Sequence, residues 1–291
     1  MIEELLNRQN IDGGWSYRPG GGSWTEPTCY AVLGLLAAGA PPADEPVRRA
    51  IGWIASRQNS DGGWSPQTGV AESTWVTALV LLLPAGLAPQ TGSPIAVDRA
   101  AAWVHAQTGR ESGFWYQLRL RLLGAQADPA QAFDGWPWFP GAAAWVAPTA
   151  LSILALEKLQ RAKPEPEAAR RIQEGRAYLL ARRCRDGGWN HGSTRALGYD
   201  SDSYPETTGM ALLALHGTAA DDPQLNGALE VARKHLENCD SLEAASWLTL
   251  ALAAHGDAPA APRQAAHGGT NEIALAMIAA AALGGRNVLV A

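Results

Sequence analysis

The sequence predicts an all-α protein in which about six helical hairpins close into a ring, an α/α toroid. Three observations support this prediction. A glycine–tryptophan element recurs with a period of about 50 residues, the length that a helical hairpin and its loops require. Each copy is followed by a segment that is apolar almost all round, and arginine-containing amphipathic segments lie between these. The alternation favours parallel buried inner helices surrounded by half-exposed outer helices.

The glycine–tryptophan element is the most regular of the three features. Its copies read DGGW, and in degenerate form ESGFW and DGWPW, at 12–15, 61–64, 186–189, 111–115 and 134–138. Glycine permits the left-handed conformations that end helices, and tryptophan can pack a loop against its neighbours. We therefore interpret the copies as structural joints from an outer to an inner helix, and count Trp115 as the copy after Trp64.

The helical segments follow from these joints. The predicted inner helices are the apolar segments at 24–39, 70–86, 145–159, 204–217, 241–256 and 270–285. The predicted outer helices are the amphipathic segments at 46–58, 97–107, 167–183 and 227–238, with a short sixth one near 259–269. Prolines fall where inner helices begin and glycines where they end, at Pro27, Pro148, Pro205, Gly39, Gly86 and Gly256.

We expect one toroid domain over residues 1–291, interrupted by a long insertion at 108–144 in the third repeat. The insertion contains a predicted short helix, YQLRLRLLGA, and an aromatic cluster, FDGWPWFPG. Loops of this length are frequently functional. The insertion is therefore a candidate cover for the mouth of the ring.

Composition indicates which binding partners and which cellular compartment to expect. The net charge of −5 and the pI of about 5.7 argue against an extended nucleic-acid interface. The three cysteines have no pairing pattern, and the N-terminal segment has no signal-peptide core, so we expect a cytoplasmic protein. The longest apolar runs are too short to span a bilayer, which leaves only a peripheral membrane contact open.

At this point the motifs carry a resemblance. RQNSDGGW at 57–64, together with EPT at 26–28 and ETTG at 206–209, resembles the prenyltransferase and squalene-cyclase repeat. The resemblance implies the toroid of squalene-hopene cyclases, class II terpene cyclases and protein prenyltransferase β subunits. It also implies an apolar, isoprenoid-like ligand. Larger members of this family pair two such domains, so a partner domain or subunit is a further expectation.

The resemblance also implies candidate catalytic residues. Class II cyclases carry an Asp-x-Asp-Asp motif before an inner helix, and its middle aspartate protonates an alkene or epoxide. This chain has DSDSYPETTGMALLAL at 200–215, which provides Asp200 and Asp202 but one carboxylate fewer. Alignment on the helix itself places Glu206 near the acid position instead. The catalytic candidates are Asp200, Asp202 and Glu206; the alternative is that these residues only cap the helix.

The prenyltransferase β subunits imply a different site, in which zinc is bound by an Asp-x-Cys pair and a histidine. The nearest counterparts are Cys239, Asp240 and His267, whose order matches poorly. We therefore predict no metal and no cofactor.

The aligned inner helices predict a ring of carboxylates at one rim. Glu26, Glu72, Glu206, Glu243 and Glu272 align at helix starts, and Ala147 fills the sixth place. One turn further lie Tyr30, Trp75 or Val76, Leu151, Met210, Trp247 and Ala276. This pattern predicts an acidic mouth above a cavity lined by apolar and aromatic side chains. The substrate-binding candidates are Glu26, Tyr30, Glu72, Trp75, Met210, Glu243, Trp247 and Glu272.

The alternative interpretation of this ring of carboxylates is that it has only a structural role. First-turn glutamates complement the helix dipole, and the aromatic residues can be core. Gathered carboxylates should still repel one another, so we expect raised pKa values, arginine partners or a bound cation. Three function hypotheses remain: a class II cyclase-like enzyme, a non-catalytic toroid that binds a lipid or peptide, and a prenyltransferase β-like subunit.

Overall fold

The computed structural model describes residues 1–84, 87, 94–113, 116, 118–119, 122–123, 133–193, 195–196, 199–218, 223–260 and 268–290. Within these residues the regular secondary structure is helical except for one short hairpin, in which β1 (Arg195–Ala196) pairs antiparallel with β2 (Tyr199–Asp200). None of the described helices is both long and apolar enough to cross a membrane.

The described helices form two concentric layers. The inner helices are α2 (Thr25–Ala37), α4 (Val76–Leu81), α6 (Val146–Ala162), α8 (Pro205–Ala214), α10 (Leu242–Ala254) and α11 (Thr270–Leu283). The outer helices are α1 (Ile2–Asn7), α3 (Glu45–Ala55), α5 (Val97–Ala106), α7 (Pro166–Ala181) and α9 (Pro223–Glu237). Each inner helix contacts the next in chain order, and α11 contacts α2, which closes the ring. The predicted fold class, an all-α toroid, is confirmed.

The inner helices approach one another closely because small residues line their contacts. The closest such position is Gly209 in α8, where an added Cβ would lie 2.6 Å from the backbone carbon of Trp247 in α10. Gly34 in α2 similarly faces Ala274 of α11, whose backbone would lie 3.1 Å from an added Cβ. The glycines therefore set the spacing of neighbouring inner helices.

Replacing Gly209 with alanine should destabilise the protein by about 1 to 3 kcal/mol, because the methyl group would push the backbones of α8 and α10 apart. The measurement is urea unfolding. Gly227 in the outer helix α9 is a matched control, since an added Cβ there meets nothing within 4 Å. Gly227→Ala should stabilise the protein by up to about 1 kcal/mol through helix propensity. Equal effects of the two substitutions would contradict the close approach.

The joints have one hydrogen-bonding scheme in four repeats. The backbone N–H of each joint tryptophan donates to a threonine hydroxyl of the following inner helix, and its indole N–H donates to a carbonyl at the end of the preceding outer helix. The tryptophan–threonine–carbonyl sets are Trp15–Thr28–Leu5, Trp64–Thr77–Ile54, Trp136–Thr149–Val104 and Trp189–Thr208–Leu179. These bonds support the interpretation of the repeated element as a structural joint.

The joint aspartates extend this scheme to the next outer helix. Asp12 accepts hydrogen bonds from the backbone of Gly14 and from the indole of Trp53 in α3, at 3.1 and 2.7 Å. Asp61 accepts the equivalent bonds from Gly63 and from Trp103 in α5. Each aspartate therefore links its loop to the helix that follows in the outer layer.

The third repeat corrects the assignment of its joint. Trp136 makes the joint hydrogen bonds, whereas Trp115, counted from the spacing alone, lies outside the described residues. The aromatic segment at 134–138 is thus the regular joint, and the extra residues of the predicted 108–144 insertion precede it. Most of the predicted short helix at 116–125 also lies outside the described residues.

The sixth outer position also differs in part from the prediction. Most of the segment near 259–269, and with it the predicted short sixth outer helix, lies outside the described residues. The N-terminal helix α1 packs against α11 and supplies an outer helix there. The first and last parts of the chain therefore meet where the ring closes.

Candidate functional site

Four glutamates from consecutive inner helices gather at one rim of the ring, and we call Glu26, Glu206, Glu243 and Glu272 the acidic arc. They lie in the first turns of α2, α8, α10 and α11. Glu243 interacts electrostatically with each of the other three. The rim alignment of these helices therefore brings four carboxyl groups together.

Glu26 occupies the most specific environment in the acidic arc. The hydroxyl of Tyr17 donates to Oε2 of Glu26, and Nδ2 of Asn271 donates to Oε1 at 3.0 Å. Burial raises the pKa of Glu26 to about 7; the nearby Glu243 also raises it, and the two hydrogen bonds oppose the shift. The carboxyl group is therefore close to half protonated at neutral pH.

The other members of the acidic arc have different partners. Burial raises the pKa of Glu243, and repulsion from Glu272 and Glu206 raises it further. Glu272 accepts a hydrogen bond from the backbone N–H of Gly269, so it caps the start of α11. In the described part of the chain, no arginine forms an ion pair with any member of the arc. Of the three consequences expected from gathered carboxylates, raised pKa values are found at Glu26 and Glu243.

Glu72 does not share the position of the acidic arc, which corrects the sequence alignment. The joint hydrogen bonds align Thr77 with Thr28, and the residue two places before Thr77 is Trp75, whereas Glu26 stands two places before Thr28. Helix α4 begins only at Val76, so Glu72 lies in the preceding loop and is exposed. Trp75 packs edge-to-face on Trp138 with ring centroids 4.8 Å apart.

The predicted aspartates lie away from the acidic arc. Asp200 belongs to β2 and pairs with Arg185 at 3.5 Å, where both side chains are exposed. Asp202 is exposed as well, and the next residue, Ser203, is held by Asp186 through a 2.7 Å hydrogen bond. Of the three catalytic candidates, only Glu206 lies in the acidic arc.

The side chains one turn below the rim are tightly packed. Tyr30 and Trp247 are 2% and 1% exposed, and their rings meet edge-to-face with centroids 6.1 Å apart. Met210 is buried at the same level. These side chains fill the space between α2 and α10 where an open cavity was expected. The acidic arc is therefore accessible from the solvent side of the rim, away from these packed side chains.

Aromatic residues flank the rim, and the sequence analysis did not assign them to the site. Trp24, Trp145 and Tyr204 immediately precede α2, α6 and α8. Tyr17 packs against Trp24 with ring centroids 5.4 Å apart. His191 lies between Trp145 and Tyr204, and its ring centroid is 5.6 and 5.1 Å from theirs. Trp24, Trp145 and Tyr204 each stand four residues before a joint threonine, and this constant spacing could have identified them from the sequence. The rim thus combines carboxylates with aromatic faces.

No group of three or more histidine, cysteine, aspartate or glutamate residues within the described ranges is arranged to hold a metal ion. Of the weak zinc candidates, the thiol of Cys239 contacts the backbone oxygen of Ser241 at 3.5 Å. His267 lies outside the described residues.

Fold and rim together define an α/α toroid protein whose inner-helix starts form an acidic and aromatic surface. Residues 1–77 match the family model described as the squalene-hopene cyclase C-terminal domain. The predicted resemblance to the prenyltransferase and squalene-cyclase repeat family is thereby confirmed. A search of curated proteins gives no match.

Solved structures share the fold at low sequence identity. The apo type II terpene cyclase MstE from Scytonema is 17% identical with a TM-score of 0.50, and the match covers 81% of this chain. This chain spans 60% of that cyclase. The GH76 α-mannanase BT2949 from Bacteroides thetaiotaomicron, solved as a selenomethionine derivative, is 12% identical with a TM-score of 0.61. That match covers 98% of this chain and 95% of the mannanase, so similar toroids belong to proteins with different named activities.

Proposed function

We propose that this toroid binds an isoprenoid-like molecule at its rim and begins its conversion by proton transfer from Glu26. The observation that carries the proposal is the environment of Glu26: a partly buried carboxyl group with a pKa of about 7, oriented by Tyr17 and Asn271. A general acid is most effective when its pKa lies near the working pH. The match to the squalene-hopene cyclase domain supports the class of substrate.

The strength of this acid indicates where the proton goes. A carboxyl group with a pKa near 7 is a weaker acid than an ordinary glutamic acid, so its substrate must offer a good proton acceptor. An epoxide oxygen meets this requirement better than a carbon–carbon double bond does. Proton transfer to that oxygen opens a C–O bond and leaves a carbocation, which the faces of Tyr17 and Trp24 can stabilise through cation–π attraction.

Glycoside hydrolysis is the second candidate. Its basis is the electrostatic coupling of Glu26 with Glu243, since two neighbouring carboxyl groups can divide the roles of acid and base or nucleophile. The mannanase that shares the fold over nearly the whole chain supports including α-mannan among the substrates tested. A non-catalytic toroid, the alternative from the sequence analysis, would retain a ligand without converting it.

The test is incubation of the purified chain with squalene, 2,3-epoxysqualene, geranylgeranyl diphosphate and α-mannan, with products identified by mass spectrometry. Our proposal expects a product from the epoxide and little or none from the corresponding alkene. Release of mannose with no isoprenoid product would favour the second candidate. Retention of unaltered isoprenoid would favour a binding protein, and conversion of the alkene alone would contradict the role of a weak acid.

A further inference from the structure

A cavity separate from Glu26 lies between the starts of α6 and α8, and we call it the α6–α8 pocket. Its volume is about 450 Å³, and its lining includes Arg110, residues 143–145, Arg182, residues 190–193 and Tyr204. Small-molecule sites commonly fall in the range of about 300 to 1,000 Å³. The pocket is therefore large enough for a ligand of one or two rings.

Two guanidinium groups give this pocket a positive character in a chain whose net charge is −5. Arg182 is held in place by donating from Nη1 to the backbone oxygen of Gly192 at 3.0 Å and by lying over the ring of Tyr178 at 5.1 Å. Its Nε is buried and has no hydrogen-bond partner among the described residues. Arg110 is exposed. The pocket thus combines one guanidinium group that the fold holds in place with a second one that is exposed.

The only carboxylate among the described lining residues is already engaged. Glu111 is 7% exposed, and its two oxygens accept from the backbone N–H of Ala144 at 3.0 and 3.2 Å. The backbone N–H of Ala144 therefore offsets part of the negative charge of Glu111. The two arginines exceed this single negative charge, so an anionic ligand group is favoured.

The aromatic side of the pocket selects the shape of the ligand. Trp145 and Tyr204 are 38% and 45% exposed, and His191 lies between them in contact with both rings. Partly exposed rings provide faces and edges on which a planar ligand can pack. A planar carboxylate matches the fork of a guanidinium group, with two parallel N–H···O bonds.

We propose that the α6–α8 pocket binds a planar aromatic carboxylate, with Arg182 and Arg110 on the carboxylate and Trp145 and Tyr204 against the ring. This site is additional to the proton-transfer site of the proposed function. Since Glu26 does not line the pocket, loss of either activity is distinguishable from loss of the other.

The test is isothermal titration calorimetry of the full chain with indole-3-carboxylate. We expect saturable 1:1 binding that is about tenfold weaker in Arg182→Gln and in Arg110→Gln. Arg110→Gln should leave the fold intact because Arg110 is exposed, so a loss of binding in this variant reports on the pocket itself. Arg286→Gln, in the segment after α11, is the matched control and should bind with unchanged affinity, as should Glu26→Gln.

Three comparison probes complete the design. Benzylamine has an aromatic ring but a positive charge, and hexanoate has a carboxylate but no ring. Inorganic phosphate is an anion that is tetrahedral instead of planar. Each should bind at least about tenfold more weakly than indole-3-carboxylate. Absence of saturable binding by the wild-type chain would overturn the proposal. So would equal affinities in the Arg110→Gln and Arg286→Gln variants, or tighter binding of any comparison probe.

Discussion

Replacing Trp64 with alanine should destabilise the protein by about 3 to 5 kcal/mol, the range for removal of a large buried aromatic side chain. Trp64 is fully buried, and its indole N–H donates to the carbonyl oxygen of Ile54 at 2.8 Å. The substitution leaves a cavity and removes the tie between the end of α3 and the joint. Since whole domains are stable by about 5 to 15 kcal/mol, this single change threatens the fold.

The measurement is equilibrium unfolding in urea, with two companion variants. Trp64→Phe keeps most of the apolar volume but leaves the Ile54 carbonyl without its donor, so it should cost about 1 to 3 kcal/mol. Trp145→Ala removes the same side chain from a site that is 38% exposed and should cost clearly less than Trp64→Ala. Equal losses at Trp64 and Trp145 would mean that the joint does not hold the repeats together.

The repeat pattern made the ring predictable, because repeated segments of more than ten residues that are apolar on all sides are typical of buried helices. It also predicted all four members of the acidic arc, since Glu26, Glu206, Glu243 and Glu272 stand at the second or third position of an inner helix. Glu72 failed because α4 begins late, and a shift of a few residues moves a side chain out of the rim. The spacing of 13 residues from Trp64 to Thr77, the same as from Trp15 to Thr28, marks this shift in the sequence, but the alignment did not use it.

The partners of Glu26 could not be predicted. Tyr17 belongs to an irregular loop, and Asn271 follows it by more than 250 positions along the chain, so only closure of the ring brings them to one carboxylate. The same holds for Trp136, because two tryptophan segments in the third repeat fit the motif. The hydrogen bond to Thr149 distinguishes them, and in the sequence it corresponds only to a spacing of 13 residues that the motif search did not use.

Substituting Glu26 with glutamine should lower the rate of any proton-initiated conversion by about 100- to 10,000-fold, the usual contribution of a general acid. The amide keeps the size of the side chain and can still accept a hydrogen bond from Tyr17, but it has no proton to transfer at neutral pH. The measurement is the initial rate on the substrate that the wild-type chain converts. Asp202→Asn is the matched control, because Asp202 is exposed and outside the acidic arc, and its rate should stay within about twofold of wild type.

The pH dependence of the wild-type rate provides an independent check on the same residue. A general acid acts while it is protonated, and the pKa of Glu26 is about 7. The rate should therefore be highest below pH 7 and fall about tenfold for each pH unit well above that value. An ordinary glutamate, ionised throughout this range, would already have lost its activity near pH 5 to 6. A rate that is constant from pH 6 to 9, or one that survives in Glu26→Gln and disappears in Asp202→Asn, would assign the proton to another group.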